Sequence, residues 1–310
     1  MNTEHPLLVA LVGPTAVGKT ALSLELAEAL SGEIVSADSR LVYRGMDIGT
    51  AKPTAQEQAR IPHHLIDIID PADDYSLATY QTAVYAAIDA IVARGRRPLL
   101  VGGTGQYLAA VLEGWQIPHV PPQPELRNAL LAQAERDGSA GLHQKLAQAD
   151  PEAAAAIDSS NVRRVIRALE VFHVTGQPMS VLQTRQPPPY RTITLDLERP
   201  RPELYARIDE RVGAMVHSGL IAEVLGLIRS GYSWELPAMS SLGYREFAGL
   251  WAGTATAADC ISQLKFNTHR FARKQGAWFR RLPNRHVLPA GADNLLEQAI
   301  AATGSSSGPE

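Results

Sequence analysis

Residues 13–20 read GPTAVGKT and satisfy G-x-x-x-x-G-K-[ST] in full. That spacing builds a loop around phosphate oxygens. Gly13 and Gly18 let the backbone come close, the first amides of the helix point at the anion, Thr15, Ala16 and Val17 complete the diphosphate-binding loop, Lys19 adds a point charge, and the Thr20 hydroxyl can hold magnesium. The loop calls for a diphosphate or triphosphate without saying which bond breaks. Asp38, in SADSR, has three readings: general base toward an acceptor, water-bridged magnesium ligand, or helix cap. Thr104, in GGTGQYL, can bring its hydroxyl to the same anion. No aspartate directly follows Val101, where an NTPase would hold its metal, which weighs against ATP hydrolysis.

A second kind of chemistry lies near the carboxyl end. Lys265, Arg270, Arg273, Lys274, Arg280, Arg281 and Arg285 fall between Cys260 and His286 with no acidic residue among them. Such a run neutralises backbone phosphates, and its placement in an acidic chain points to a polyanion. Phe266, Phe271, Trp278 and Phe279 are interleaved; we read them as a core stripe beneath the charged face. NVRRVIR, 161–167, is a smaller cluster that could grip the same partner. His63, His64 and Asp67 have ligand chemistry, but adjacent histidines seldom point the same way, so structural hydrogen bonding is expected of them.

These residues need elements to position them. The apolar run Leu7–Val12 reads as a buried strand, and the pattern after it as a helix over about 21–30. Further strands are expected at Glu33–Ala37, Leu99–Val101 and 193–200, and helices at Leu77–Ala93, Glu203–Ser218, Ile221–Arg229 and Ala257–Arg281. Alternation of strand and helix implies a parallel sheet with ligands at the carboxyl ends of its strands. The Pro-rich stretches IPHVPPQPELR and QTRQPPPYR bracket Ala-, Leu- and Gln-rich helical sequence. The fold class expected is α/β: a P-loop core with a parallel sheet flanked by helices, over 1–115 and 191–303, plus a small all-helical insertion at 116–190. Residues 304–310, within TGSSSGPE, read as a frayed tail.

Composition sets the outer limits. At roughly 150 residues per domain, 310 residues are a prior for about two domains. A net charge of −3 excludes a polyanion partner drawn by overall charge alone. The single cysteine, Cys260, excludes an internal disulfide and a thiolate zinc cluster, and favours a reducing compartment. The amino terminus lacks a signal-peptide pattern, and no run reaches the roughly 18 apolar residues of a spanning helix. We expect a cytoplasmic monomer with no membrane partner.

Taken in order, GPTAVGKT, SADSRLVYRGMDIGTAKP, HHLIDI, VGGTGQYL, NVRRVIRALEV, LGYRE and KFNTHRFARKQGAWFRR resemble the tRNA dimethylallyltransferase family, the bacterial tRNA isopentenyltransferases, from Leu8 to about Arg285. The resemblance implies transfer of the five-carbon unit of dimethylallyl diphosphate to the exocyclic amine of the adenosine 3′ of the anticodon, in tRNAs reading codons that begin with U. It implies Mg2+, a P-loop core and a helical insertion that closes over RNA. It makes Asp38 the proton acceptor, with the loop from Gly13 to Thr20, Thr104 and Arg245 at the departing diphosphate. Contacts to the tRNA anticodon stem-loop would come from Asp38, Ser39, Arg40, Leu41, Arg127, Asn161, Val162, Arg163, Arg164, Val165 and Ile166. Ser240, Ser241, Leu242, Gly243, Tyr244 and Arg245 would join them, beside the basic Arg270, Arg273, Lys274, Arg280 and Arg281. One departure stands out: many members read DSMQVYRG where this chain reads DSRLVYRG, so Leu41 lacks a glutamine's polar contact with the base. The rival readings are a small-molecule P-loop kinase, an adenylate isopentenyltransferase, and an RNA-binding protein whose P-loop is only a switch.

Overall fold

The computed structural model describes residues 5–304. The chain opens with β1 (Leu7–Val12), six consecutive buried apolar residues, as a strand covered on both faces requires. Then come α1 (Lys19–Ala29), β2 (Gly32–Ser36), α2 (Ala55–Arg60), β3 (His63–His64), α3 (Leu77–Ala93), β4 (Arg97–Gly102) and α4 (Gly105–Leu112). α5 (Pro124–Ala149), α6 (Pro151–Ala156), α7 (Val162–Thr175) and α8 (Met179–Leu182) follow. β5 (Arg191–Glu198), α9 (Arg201–His217), α10 (Leu220–Arg229), a short 3-10 turn at Arg245–Phe247, α11 (Ala248–Trp251), α12 (Ala257–Phe279), β6 (Arg285–Pro289) and α13 (Leu295–Ala302) complete it.

All six strands form one parallel sheet in the order β3-β2-β4-β1-β5-β6. Central β1 aligns Val12 with Gly102 of β4 on one side and with Asp196 of β5 on the other. The chain leaving all three strands therefore starts from one rim. β1, β5 and α1 pack through Val9, Leu11, Leu26 and Leu195, all fully buried. A second apolar cluster, with Val42, Met46, Val224, Tyr244 and Phe247, sits under the segment after β2. Seven elements escaped the sequence reading: α2, α4, the 3-10 turn, α11, α13, the two-residue β3, and β6, whose Arg285, His286 and Val287 are not buried and give no apolar run.

The chain divides into two compact units, 1–112 with 188–310, and 113–187. The second is helical, with a core of Leu130, Leu142, Leu146, Val165, Ala168 and Leu169. Glu170, fully buried there, accepts from Arg127 at 2.7 Å, Arg167 at 2.7 Å and the Gln123 amide at 2.7 Å. Burial pushes its carboxyl up, and the donors of Arg127, Gln123 and Arg167 outweigh it, so it stays below the usual carboxylate range. Of the frayed tail, Gly304 is described and 305–310 lie outside the described residues.

Candidate functional site

Between β1 and α1 the chain turns through Gly13, at φ 148°, and Gly18, at φ 117°. A side chain at 13 would also strike the Leu197 carbonyl at 2.8 Å, so the turn is built for glycine. Gln275 of α12 fixes it from outside: Oε1 accepts from the Thr15 amide at 2.9 Å while Nε2 donates to the Gly103 carbonyl at 2.9 Å. One buried amide thus ties the phosphate loop to the turn after β4. Lys19 Nζ donates to Gly13 O at 2.7 Å and Pro14 O at 2.9 Å, and Arg207 of α9 braces Ala16 O at 2.9 Å.

Asp38 lies two residues after the end of β2. Its Oδ1 accepts from the Arg40 amide at 2.8 Å, closing an Asx turn, and no helix begins there, so the cap reading falls. Oδ2 has no protein partner among the described residues. Thr104 joins the turns: its hydroxyl accepts from the Ser39 amide at 3.1 Å, and its own amide donates to Ala37 O at 3.1 Å. Arg40 reaches out to the Pro237 carbonyl at 2.8 Å, linking this turn to the 237–245 segment.

These turns surround a cleft of about 1120 Å³, more than one drug-sized ligand needs. Lys19, Arg40, Arg207, Arg211, Arg245, Arg270 and Lys274 line it, against Asp38, Glu57 and Glu210. Seven cations facing three carboxylates make the concavity positive in an acidic chain. Lys19 and Arg211 are half-buried and both line the cleft. Burial, then the neighbouring Arg211 charge, pulls the Lys19 ammonium down to about 8, against the pull of Asp38 and Asp196. Burial likewise lowers Arg211, with Asp38 opposing. Two desolvated cations beside each other gain most from a multiply charged anion.

Most residues expected at the diphosphate do meet in this cleft: Thr15, Ala16, Gly18, Lys19, Thr20, Thr104 and Arg245 line it. Val17 buries its side chain and donates its amide to Pro14 O at 3.3 Å, and the Thr15 amide goes to Gln275, so neither of these two amides points at the anion. Of those expected at RNA, Ser39, Arg40, Leu41, Ser240, Leu242, Gly243, Arg270 and Lys274 line the same cleft. Arg273, Arg280 and Arg281 are exposed on α12 or just after it. Asn161, Arg163 and Arg164 are exposed at the start of α7, where Asn161 caps the Arg164 amide, and Val162 is half-buried.

Several assignments need correction. Val165 and Ile166 belong to the α7 core face and present no side chain outward. Ser241 is buried with its hydroxyl donated to Ala238 O, and Tyr244 is buried with its hydroxyl 2.6 Å from Glu223. Neither side chain is free for RNA. Arg285 is not among the unopposed charges: it pairs with Asp196 at 2.6 Å and with Glu198. The aromatic stripe is also wrong in part, since only Phe279 is buried while Phe266, Phe271 and Trp278 are exposed. The histidines behave as expected: His63 Nδ1 lies 2.7 Å from Ile61 O and His64 Nε2 2.7 Å from Glu33. Asp67 instead pairs with Lys52. Sequence reasoning missed Arg207, Arg211, Gln275 and Asp196; only an unexplained polar residue on an amphipathic helix, or an acid in an apolar strand, signalled them.

A glycine turn between a central parallel strand and a helix, with a lysine on its first turn and further cations converging, defines a P-loop protein shaped for a polyphosphate. Comparison narrows the class. The family model described as IPP transferase matches residues 41–282. A tRNA dimethylallyltransferase of Herpetosiphon aurantiacus is 67% identical over 96% of this chain and 95% of its own, and one from a Roseiflexus species is 60% identical over 94% and 96%. The solved tRNA isopentenylpyrophosphate transferase of Bacillus halodurans superposes with a TM-score of 0.71 at 41% identity, covering 97% of this chain and 95% of that one. A eukaryotic dimethylallyltransferase acting on tRNA gives a TM-score of 0.83 at 27% identity, over 96% and 78%. The chain belongs to the IPP transferase family.

Proposed function

We propose that this chain moves the dimethylallyl group of dimethylallyl diphosphate onto N6 of the adenosine 3′ of the anticodon, in tRNAs that read codons beginning with U, releasing diphosphate. Family membership makes it an enzyme, a prenyltransferase that modifies tRNA. One observation carries the finer reading: the phosphate loop, the free oxygen of Asp38 and a cationic rim share a single cleft.

The adenosine nitrogen attacks the allylic carbon, the new C–N bond forms as the C–O bond to diphosphate breaks, and the proton passes from nitrogen to Asp38. The Arg40 amide holds the other carboxylate oxygen and so aims the free one. Developing charge on the diphosphate is met by Lys19 and Arg211, partly desolvated and in place, with the amides at the start of α1. Thr104, by fixing the Asp38 turn against the turn after β4, sets the distance between base and leaving group.

No cluster of three metal-ligating side chains exists among the described residues, yet magnesium on a diphosphate needs only one or two protein ligands. The exposed Thr20 hydroxyl and, through water, Asp38 would hold it. Bound there, it would neutralise diphosphate oxygens. On this reading the chain works on tRNA as a cytoplasmic monomer, as its sequence led us to expect.

Labelled dimethylallyl diphosphate with an unmodified anticodon stem-loop should yield labelled RNA, and labelled ATP with small metabolites should yield nothing. Phosphoryl transfer without prenyl transfer would establish the kinase reading instead. Activity on free nucleotide that RNA does not improve would mark an adenylate isopentenyltransferase.

A further inference from the structure

The aromatics of α12 are exposed where a core stripe was expected: Phe266 at 56%, Phe271 at 39% and Trp278 at 38%. Three large rings left partly exposed on one helix forgo burial that would stabilise the fold, which asks for an occupant. Helical spacing sorts them. Phe271, Lys274, Gln275 and Trp278 recur at i, i+3, i+4 and i+7 and share one face, the face that lines the cleft. Phe271 and Trp278 stand two turns apart, about 10.5 Å along the axis, with Lys274 between them. Phe266 lies further up, its ring 5.8 Å from the Arg270 guanidinium. Trp278 is seated on Gly105, where a Cβ would meet the indole at 2.6 Å, so the ring is braced on that side.

Ring, cation, ring along a positive cleft suits one chemistry. An acidic peptide or lipid headgroup would satisfy Lys274 and leave both rings wet. Nucleic acid supplies a phosphate and a flat π surface in each repeat. Bases in a stack rise only about 3.4 Å per step, so platforms three times further apart hold bases that have left the stack. We propose that Phe271 and Trp278 are stacking platforms for two unpaired bases of the bound RNA strand, with Lys274 holding a phosphate between them. This rests on the tRNA-modifying reading above. The rings bind and orient the strand; they take no part in bond making.

Phe271→Leu and Trp278→Leu should each raise KM for the anticodon stem-loop about tenfold, as loss of one stacked base does, with KM for dimethylallyl diphosphate unmoved. Phe271→Tyr and Trp278→Phe should restore it, which a role in packing volume alone would not require. Intrinsic fluorescence should be quenched by single-stranded RNA in the wild type and much less in Trp278→Phe, and duplex RNA should quench neither. Leucine variants with wild-type KM for RNA would overturn the proposal. A rise in donor KM alone would overturn it too, assigning the rings to the prenyl chain. If wild-type protein binds RNA with ring-dependent affinity but transfers no prenyl group, the functional reading fails and the platforms stand.

Discussion

The phosphate loop and α12 both gather cations beside one cleft, and they do so in opposite ways. Around Lys19 the chain encloses charge: two backbone carbonyls hold the ammonium, Arg211 crowds it, and its pKa falls to about 8. Along α12, Arg270, Arg273 and Lys274 stand in solvent. The enclosed pair suits a small, densely charged ligand that must be fixed at one spot, because desolvated charges interact strongly and are little screened by salt. The exposed row suits a long polymer, whose affinity comes from many weak, salt-sensitive contacts. The fold thus separates holding the leaving group from holding the RNA.

That separation can be broken at Asp38, which lies between the two. Asp38→Ala should slow prenyl transfer about 10²–10⁴-fold, the range for loss of a general base, while filter binding of tRNA is unchanged. Full single-turnover rate in the variant would remove Asp38 from the chemistry. Lys19→Ala should weaken the donor about 10- to 100-fold, as expected for charge-assisted hydrogen bonds, and leave RNA affinity intact; equal loss of both would merge the two regions into one. pH sharpens the same contrast. Lys19 is an ammonium below about 8 and neutral above it, so donor affinity measured by calorimetry should fall as pH rises through about 8. Lys19→Arg should flatten that fall, and a wild-type profile without it would refute the enclosed-charge account. Smallest are the exposed positions: Arg273→Ala or Arg281→Ala should cost a few-fold in RNA affinity and lower the salt slope by about one each. A donor KM that moved with them would contradict the division.

How much of this was legible depended on sequence distance. The phosphate loop, Asp38 and the Leu77–Ala93 helix announce themselves through contiguous residues whose spacing has a mechanical reason. Arg211 and Gln275 do not, because they meet the loop across some 190 and 260 residues, and a lone polar residue on a helix looks like surface until the sheet places it. Val165 and Ile166 illustrate a different loss. Carrying a contiguous stretch over as RNA contacts ignores that a helix turns about 100° per residue, and the apolar positions 165, 166 and 169 already spelled its inward face. The exposed rings of α12 went the other way. Hydrophobicity argued for burial, and only the packing showed that the space beneath is filled by Leu264, Ala272 and Phe279 instead.

Glu223 of α10 is the last piece of the cleft's architecture. Its carboxylate accepts from the amides of Asp47, Ile48 and Gly49 at 2.8–3.0 Å and from the Tyr244 hydroxyl at 2.6 Å. Gly49 sits so close to the Tyr244 ring that a Cβ there would fall 2.4 Å from it. The strip after β2, the 240–245 turn and α10 are consequently welded into one jaw. The phosphate loop, by contrast, is tied to the turn after β4 by one neutral amide, Gln275, and to α9 by the Arg207 guanidinium, so its side-chain anchors number two where the jaw shares one carboxylate among four donors.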